Sequence, residues 1–321
     1  MKFMYIKPKV VVLGGGTGLS VILRGLKHFP VDITAIVTVA DDGGSSGKLR
    51  DELEIPAPGD LRNVMVALSE IEPLVEDLLQ YRFKGDTSLA GHPLGNLLLA
   101  AMVGVTGDLT SAMKGLTNVF DIKGRILPST CDKAVLVAEM VDGTRVEGES
   151  KIPKADKKIK RVYFKESPEP VEETITAVEE ADLIVLGIGS LYTSIIPNLL
   201  PGRMRRAILN SRAKKVYICN AMEQPGETRG YTLSDHIQAL HNHMGRKFLD
   251  VVVADISHIP EETLELYRAE GVGPVKVDRE RCEEMNLELM EQRLIELEKD
   301  TGKIRHHPYK TAAAVYSLIE H

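Results

Sequence analysis

The sequence has no tryptophan, few aromatic residues (5%) and only three cysteines. Cys131, Cys219 and Cys282 form no CxxC pair, and an odd number leaves one thiol unpaired. These counts argue against a disulfide scaffold. We therefore expect the protein to reside in a reducing cytoplasm.

Long hydrophobic runs are also missing. The longest, Leu94 to Val105, is interrupted by glycines and Asn96 and is too short to span a membrane. The first nine residues, MKFMYIKPK, contain no apolar segment with a cleavage site, so we expect neither a signal peptide nor a membrane partner. A net charge of −6 gives no bulk reason to expect nucleic acid as a partner.

The 321 residues are 43% hydrophobic and 27% charged, as in ordinary globular proteins. Short β-branched segments alternate with segments of helical period, which predicts an α/β fold: a Rossmann-like, doubly wound, mostly parallel sheet in one domain over residues 1–321. The predicted strands are Val10–Leu13, Ile33–Val39, Leu183–Leu186, Lys215–Cys219, Leu249–Ala254 and Val275–Val277. The clearest predicted helices are Val171–Glu180, Leu233–His243 and Glu261–Ala269.

Two segments depart from this alternation. Residues 61–120 have helical period almost throughout and predict a helical layer or cap. Residues 134–166 predict a β-rich insertion, with a hairpin turn at Asp142-Gly143. Its second half, Lys151 to Lys165, contains seven Lys or Arg against one Asp. We favour a solvated edge strand for this half over a basic patch that binds a phosphorylated or acidic partner.

A glycine-rich turn follows the first predicted strand in KVVVLGGGTG, residues 9–18. A buried strand that opens directly onto a helix offers backbone N–H groups to an anion, which predicts a phosphate site at Gly15, Gly16, Thr17 and Gly18. The spacing is a variant of the dinucleotide fingerprint, because Leu19 stands where the last glycine belongs. The alternative is a tight turn without a ligand.

A second turn of this type follows the strand ADLIVL. Here Gly189, Ser190, Leu191, Tyr192, Thr193 and Ser194 combine a glycine turn with hydroxyl donors. A second phosphate, or one diphosphate that bridges both turns, fits this pattern. Capping and packing are the alternative.

Acidic residues follow the second predicted strand. Asp41 and Asp42 stand where a dinucleotide fold grips ribose hydroxyls, and paired carboxylates near phosphate also suit Mg²⁺. The alternative is that both cap the next turn. Asp60 precedes an apolar helix and is either its N-cap or part of the site, with Asn63 one helix step away.

Other polar residues are weaker candidates. Asn220 and Gln224 lie in a loop after a later strand and are suited to reading an amide-bearing base or sugar, although most such loops are connectors. The spacing of His236, His241 and His243 puts them on different helix faces, which excludes a zinc site. His92, His306 and His307 are better placed for a polar site, but we favour exposed positions for all three. No Ser/His/Asp order or catalytic cysteine motif is present.

Several blocks together resemble the gluconeogenesis factor family, whose fold is similar to 2-phospho-L-lactate transferase. They cover nearly the whole chain in unchanged order: VVLGGGTGLSVILRGLK, TVADDGGSSGKLR, PAPGDLRN, HPLGNLLL, GIGSLYTSIIPNLL, CNAMEQPGET, LYRAEGVGPV and KIRHHPYK. The resemblance implies a cytoplasmic bacterial protein needed for normal cell shape and wall synthesis on gluconeogenic carbon sources. It also implies binding of UDP-N-acetylglucosamine, with NAD or NADP as further occupants of the same cleft.

The resemblance also assigns residues to the ligand site. It supports both glycine turns, Asp41, Asp42 and Asn63. It adds Tyr267, whose ring can pack on a sugar or base, and Arg305, a planar cation suited to a diphosphate. In the transferase relatives, acids at the Asp41 and Asp60 positions serve metal binding and hydroxyl activation. Asp41, Asp42 and Asp60 are therefore the catalytic candidates.

Two functions follow as expectations. The first is a regulator that needs no cofactor, senses UDP-N-acetylglucosamine and acts on an enzyme of amino-sugar synthesis, with a homodimer left open. The alternative is a Mg²⁺-dependent phospho-transferase that uses a nucleotide-activated donor, with the metal on Asp41 or Asp42. A nicotinamide oxidoreductase is disfavoured, because the full glycine fingerprint and a hydride-transfer partner are absent.

Overall fold

The computed structural model describes residues 6–70, 73–298 and 301–319. The first five residues of the segment used to exclude a signal peptide lie outside this range. The strands are β1 (Lys9–Gly14), β2 (Asp32–Val37), β3 (Arg125–Pro128), β4 (Leu136–Met140), β5 (Arg145–Glu147), β6 (Ile159–Phe164), β7 (Leu183–Leu186), β8 (Lys214–Ile218), β9 (Val251–Asp255), β10 (Glu288–Gln292), β11 (Ile295–Leu297) and β12 (Ile304–His306).

Helices connect the strands of the main sheet. They are α1 (Gly16–Leu26), α2 (Gly44–Glu52), α3 (Gly59–Leu68), α4 (Pro73–Gln80), α5 (Leu94–Thr106), α6 (Leu109–Val119), α7 (Glu172–Glu179), α8 (Gly202–Asn210), α9 (Leu233–Met244), α10 (Glu261–Ala269), α11 (Arg279–Glu283) and α12 (Pro308–Tyr316). Helices α2 to α6 follow one another between β2 and β3. Residues 191–195 form a π-helical turn and residues 196–199 a 3₁₀ turn.

Seven strands form one parallel sheet in the order β10-β9-β8-β7-β1-β2-β3. Val12 in β1 pairs with Ala35 in β2 on one side and with Val185 in β7 on the other. From β1 the chain adds β2 and then β3 on one side of the sheet. It then returns to the other side of β1, where it adds β7, β8, β9 and β10 in turn. The strand order therefore reverses between β1 and β7, where α/β sheets place their ligand clefts. The predicted Rossmann-like α/β fold is confirmed.

Alternate residues of β1 face two separate cores. Val10 and Val12 pack into a core with α1, α3 and α12, whereas Val11 and Leu13 pack into a second core with α7, α8 and α9. Because side chains alternate along a strand, a strand buried on both faces must be apolar at every position. This explains the unbroken apolar run before the first glycine turn.

The two irregular segments have the predicted secondary structure. Helices α3 to α6 occupy residues 59–119, and β4, β5 and β6 form a small antiparallel sheet with the Asp142-Gly143 turn between β4 and β5. The basic strand β6 is at the edge of this sheet, where Lys160 and Arg161 pair with Glu139 of β4. The edge position of β6 agrees with the interpretation of this basic segment as a solvated edge strand. The extent of the single domain stays a prediction.

No helix within the described residues is both long and apolar enough to cross a membrane alone. Only α5 and α6 taken together meet the length and composition criteria, and they are bent by 117° at their break.

Some predicted strand positions are wrong. Residues Val275–Val277 form no strand, and Lys276 makes only an isolated bridge with Thr232. Two strands of the main sheet, β3 and β10, were not predicted. β3 is four residues long and ends in a proline, and β10 is an edge strand that is half-exposed and carries two glutamates and a glutamine. Neither has the apolar run by which buried parallel strands are recognised.

Candidate functional site

An open cleft of about 490 Å³ lies at the reversal of strand order, beyond the carboxyl ends of β1 and β7. Both glycine turns, the Asp41 loop, the segment between β5 and β6, the loop after β8 and strand β12 contribute to its walls. The lining residues are Gly15, Gly16, Thr17, Gly18, Val21, Asp41, Asp60, Glu149, Ile188, Gly189, Ser190, Ser194, Asn220, Ala221, Met222, Glu223, Gln224, Tyr267, Ile304, Arg305 and His306.

The two glycine turns touch each other. A β-carbon on Gly18 would overlap the backbone carbonyl of Ile188, and one on Gly15 would overlap the Ser194 side chain. The Asn198 amide nitrogen joins the turns further, because it donates to the carbonyls of Gly14 (3.3 Å) and Ser194 (2.8 Å). Glycine is thus required here for close backbone packing as well as for any ligand that approaches the turn.

The Asp60 carboxylate occupies part of the first turn. It accepts the backbone N–H of Gly16, and β-carbons on Gly15 or Gly16 would collide with it. Thr17 and Gly18 follow in the first turn of α1, whose N–H groups have no partner within the helix. Asn63 does not line the cleft, and its side chain lies beside Gly16 and accepts from Arg62.

Burial, opposed by the hydrogen bond from Gly16, raises the pKa of Asp60 to about 6. The folded protein therefore binds this proton more tightly than the unfolded chain, and stability falls as the pH rises from about 4 to 6. Asp60→Asn keeps an acceptor for Gly16 without the charge. We expect it to raise the free energy of unfolding by about 1–3 kcal/mol at pH 7.5 and to change it little at pH 4.

Thermal unfolding of Asp60→Asn and wild type at both pH values measures this difference. Asp51→Asn, at an exposed position on α2 outside the cleft, is the matched control and is expected to show no pH-dependent gain. Equal stabilisation of Asp60→Asn at both pH values would contradict the assignment.

A second carboxylate occupies the other turn. Glu227 accepts the N–H of Tyr192 (3.0 Å) and the hydroxyl of Thr193 (3.0 Å). Leu191, Tyr192 and Thr193 are buried and do not line the cleft, whereas Gly189, Ser190 and Ser194 do. The predicted helix start is a π-helical turn followed by a 3₁₀ turn that contains Pro197.

Asp41 and Asp42 point in different directions. Asp41 lines the cleft and accepts the N–H of Gly43 (2.9 Å), as its capping interpretation predicts. Asp42 accepts the N–H of Ser150 in the segment between β5 and β6 (2.9 Å) and does not line the cleft. The described residues contain no group of three or more His, Cys, Asp or Glu side chains that could hold a metal ion. The two carboxylates therefore do not fit a shared Mg²⁺ site.

Asn220 holds the second turn in place. Its amide nitrogen donates to the Gly189 carbonyl (2.8 Å) and to the Gln224 side chain (3.1 Å), and its oxygen accepts the Gly189 N–H (3.3 Å). Gln224 in turn donates to the Ser190 hydroxyl (3.1 Å). Both amides line the cleft, but much of their hydrogen-bonding capacity already serves the turn.

Tyr267 and Arg305 line the same cleft as the glycine turns. The Tyr267 hydroxyl accepts the N–H of Ile304 (2.8 Å) and so fixes the start of β12, the strand that carries Arg305. In the described part of the chain, Arg305 is the only Lys or Arg that lines the cleft. Its side chain is half-exposed and lies 4.0 Å from the Glu298 carboxylate.

Several cleft residues were not predicted from the sequence, above all Glu149, and His306 lines the cleft as its less favoured interpretation allowed. The predicted exposure of His92 and His306 is wrong, since both are buried. His92 Nδ1 lies 2.9 Å from the Ser45 hydroxyl, and burial lowers the pKa of His306 to about 4. Glu149 comes from the predicted β-rich insertion, and no motif marks it. His307 is partly exposed and lies at the N-cap of α12.

Comparison with known proteins identifies the family. The profile of the family "2-phospho-L-lactate transferase CofD" matches residues 10–295. The Bacillus subtilis strain 168 protein named gluconeogenesis factor is 51% identical over 315 residues, with 98% of this chain and 99% of that protein covered. The gluconeogenesis factor of Halalkalibacterium halodurans is 50% identical over 310 residues, with 96% of each chain covered.

Solved crystal structures support the same family assignment. A crystal structure of a Bacillus halodurans protein has a TM-score of 0.94 at 49% identity and covers 97% of this chain and 100% of its own. A second, described as a member of the UPF0052 family, has a TM-score of 0.93 at 49% identity, with 96% and 99% covered. The chain therefore belongs to the 2-phospho-L-lactate transferase CofD family and, within it, to the gluconeogenesis factors.

Proposed function

We propose that the protein binds UDP-N-acetylglucosamine in this cleft and, by its occupancy, regulates an enzyme that directs carbon into amino-sugar and cell-wall synthesis. The observation that carries the proposal is the contact of two glycine turns at the reversal of strand order, with the first-turn N–H groups of Thr17 and Gly18 beside the cleft. Such N–H groups favour phosphate oxygens.

The remaining walls fit the other parts of a nucleotide sugar. Arg305 lines the same cleft as the turns and offers a planar cation to a diphosphate. Tyr267 offers a ring for stacking, and the Asn220 and Gln224 amides line the cleft as well. The cleft volume of about 490 Å³ is in the range of small-molecule sites.

Isothermal titration calorimetry with UDP-N-acetylglucosamine tests the binding step, with NAD, NADP and UDP as comparison ligands. We expect saturable binding that is tightest for the nucleotide sugar. Absence of saturable heat at millimolar concentration would overturn the proposal. Tighter binding of NAD or NADP would show that a nicotinamide dinucleotide, and not the nucleotide sugar, is the preferred ligand. The regulatory step predicts that the ligand changes the protein's effect on an amino-sugar synthesis enzyme.

Arg305→Ala is expected to weaken nucleotide-sugar binding by about 1.5–3 kcal/mol, because a hydrogen bond to a charged group is lost. Arg268→Ala is the matched control, since Arg268 pairs with Glu261 on α10 and does not line the cleft. Titration of both variants measures the difference. Equal affinities would show that Arg305 does not contact the ligand.

A phospho-transferase is the second candidate, favoured by the family match and by two cleft carboxyls with raised pKa values, Asp60 and Glu149. A carboxyl with a pKa near neutrality is suited to accept a proton from an attacking hydroxyl. Incubation of the nucleotide sugar with candidate acceptors and Mg²⁺, followed by product analysis, tests it. Turnover that is lost in Asp60→Asn would favour the transferase, and unchanged donor would favour the regulator.

A further inference from the structure

We propose that Glu149 acts in ligand recognition as a protonated carboxyl that donates a hydrogen bond to an oxygen of the bound nucleotide sugar, so that binding is coupled to a proton. The inference depends on the proposed ligand and assigns a role to a residue outside the glycine turns. Glu149 begins a 3₁₀ turn in the segment between β5 and β6, and this residue lines the cleft.

The backbone holds Glu149 at the cleft wall. The N–H of Ser150 donates to Asp42 (2.9 Å), and Gly148 packs against the same carboxylate. On the other side, Gly226 packs directly against the carbonyl of Pro153. The segment 148–153 is thus packed between the Asp42 loop and the Gly226 loop. These contacts fix the backbone position from which the Glu149 side chain extends.

The charged groups around Glu149 are mainly acidic. Burial is the largest cause that raises the pKa of Glu149 to about 8, and the negative charges of Asp41 in the loop after β2, Asp60 in α3 and Glu227 in the loop after β8 add to it. The nearest cation on its own segment, Lys151, packs its aliphatic stem against Gly148. Arg305 lines the same cleft.

The Thr193 hydroxyl serves the neighbouring carboxylate. It donates to Glu227 (3.0 Å), and a hydroxyl has only one proton to give. That proton is therefore not available to Glu149, which lines the cleft and can turn its own carboxyl proton toward a ligand.

The charge of the ligand strengthens the argument. Among the residues that the structure describes, four acidic residues line the cleft, Asp41, Asp60, Glu149 and Glu223, against one Lys or Arg, Arg305. A diphosphate would be repelled by these carboxylates if all were ionised. A neutral carboxyl removes one of these charges and supplies a donor to a phosphate or sugar oxygen.

Titration calorimetry with UDP-N-acetylglucosamine between about pH 6.5 and 8.5 tests the coupling. This range lies below the ionisation of the uracil ring, and the diphosphate of a nucleotide sugar does not titrate within it. For one required proton, we expect the Kd to rise about fourfold across the range. Repeating the titration at pH 8.5 in buffers of different ionisation enthalpy should show net proton uptake.

Glu149→Gln keeps a donor and cannot ionise, so its Kd is expected not to change with pH. Glu147→Gln is the matched control: Glu147 is exposed in the same small sheet and pairs with Lys165, and this variant should keep the wild-type pH dependence. A flat wild-type profile without proton uptake would overturn this inference alone, and so would an unchanged profile in Glu149→Gln. No saturable binding at any pH would overturn the proposed function as well.

Discussion

Replacement of Gly18 by alanine is expected to abolish nucleotide-sugar binding and to destabilise the fold by about 2–3 kcal/mol, the usual scale of overpacking. The added methyl group would overlap the carbonyl of Ile188, a backbone atom that cannot rotate away. The turns after β1 and β7 would therefore separate. Because the proposed phosphate site depends on their contact, binding and stability should be lost together.

Gly104→Ala is the matched control for this change. Gly104 lies in α5, also has helical conformation, and faces open space. Alanine there should stabilise the protein by about 0.5–1 kcal/mol through helix propensity alone. Thermal unfolding and titration of both variants make the comparison. A Gly18→Ala protein that is as stable as Gly104→Ala and binds ligand would show that the turns tolerate separation.

The sheet and the first glycine turn could be predicted because their signals are local. An unbroken apolar run such as Val10–Leu13 can only be buried on both faces, and the glycines that follow it mark a sharp turn. The helix Glu261–Ala269 was predicted with its observed bounds, since its period is regular and Pro260 precedes it.

The other partners of these turns could not be predicted from local pattern. Glu227 reaches Tyr192 and Thr193 from 35 and 34 residues away, and Glu149 enters the cleft from the segment between β5 and β6. Asp60 was a candidate, but nothing in the sequence indicates that it accepts from Gly16. In all three cases a residue of a type common on protein surfaces becomes a buried or half-buried carboxyl through tertiary packing alone.

Tertiary packing also explains why the edge strand β10 and the burial of His92 were not predicted. β10 was missed because an edge strand tolerates polar residues, and only its pairing with β9 defines it. His92 is buried because α2 supplies Ser45 as its partner. A histidine beside a proline gives no sign of such a partner 47 residues away.

Gly226→Ala is expected to displace the wall that carries Glu149. Gly226 has a φ of +75°, so alanine adds left-handed strain of about 1–2 kcal/mol, and its methyl group would overlap the carbonyl of Pro153. We expect a total cost of about 3–4 kcal/mol, weaker ligand binding and loss of the pH dependence assigned to Glu149.

Comparison with Gly230→Ala separates the effect of the steric overlap at Gly226 from the effect of backbone strain. Gly230 has nearly the same φ, +74°, but its added methyl group would face open space, so only the strain should remain. Thermal unfolding separates the two variants, and limited trypsin digestion at Lys154, Lys157 and Lys158 reports on the displaced segment. Faster cleavage in Gly226→Ala than in Gly230→Ala would show that the contact between Gly226 and Pro153 holds segment 148–153 in place. Equal stability, cleavage and pH dependence in the two variants would mean that the Gly226 loop does not hold Glu149 at the cleft.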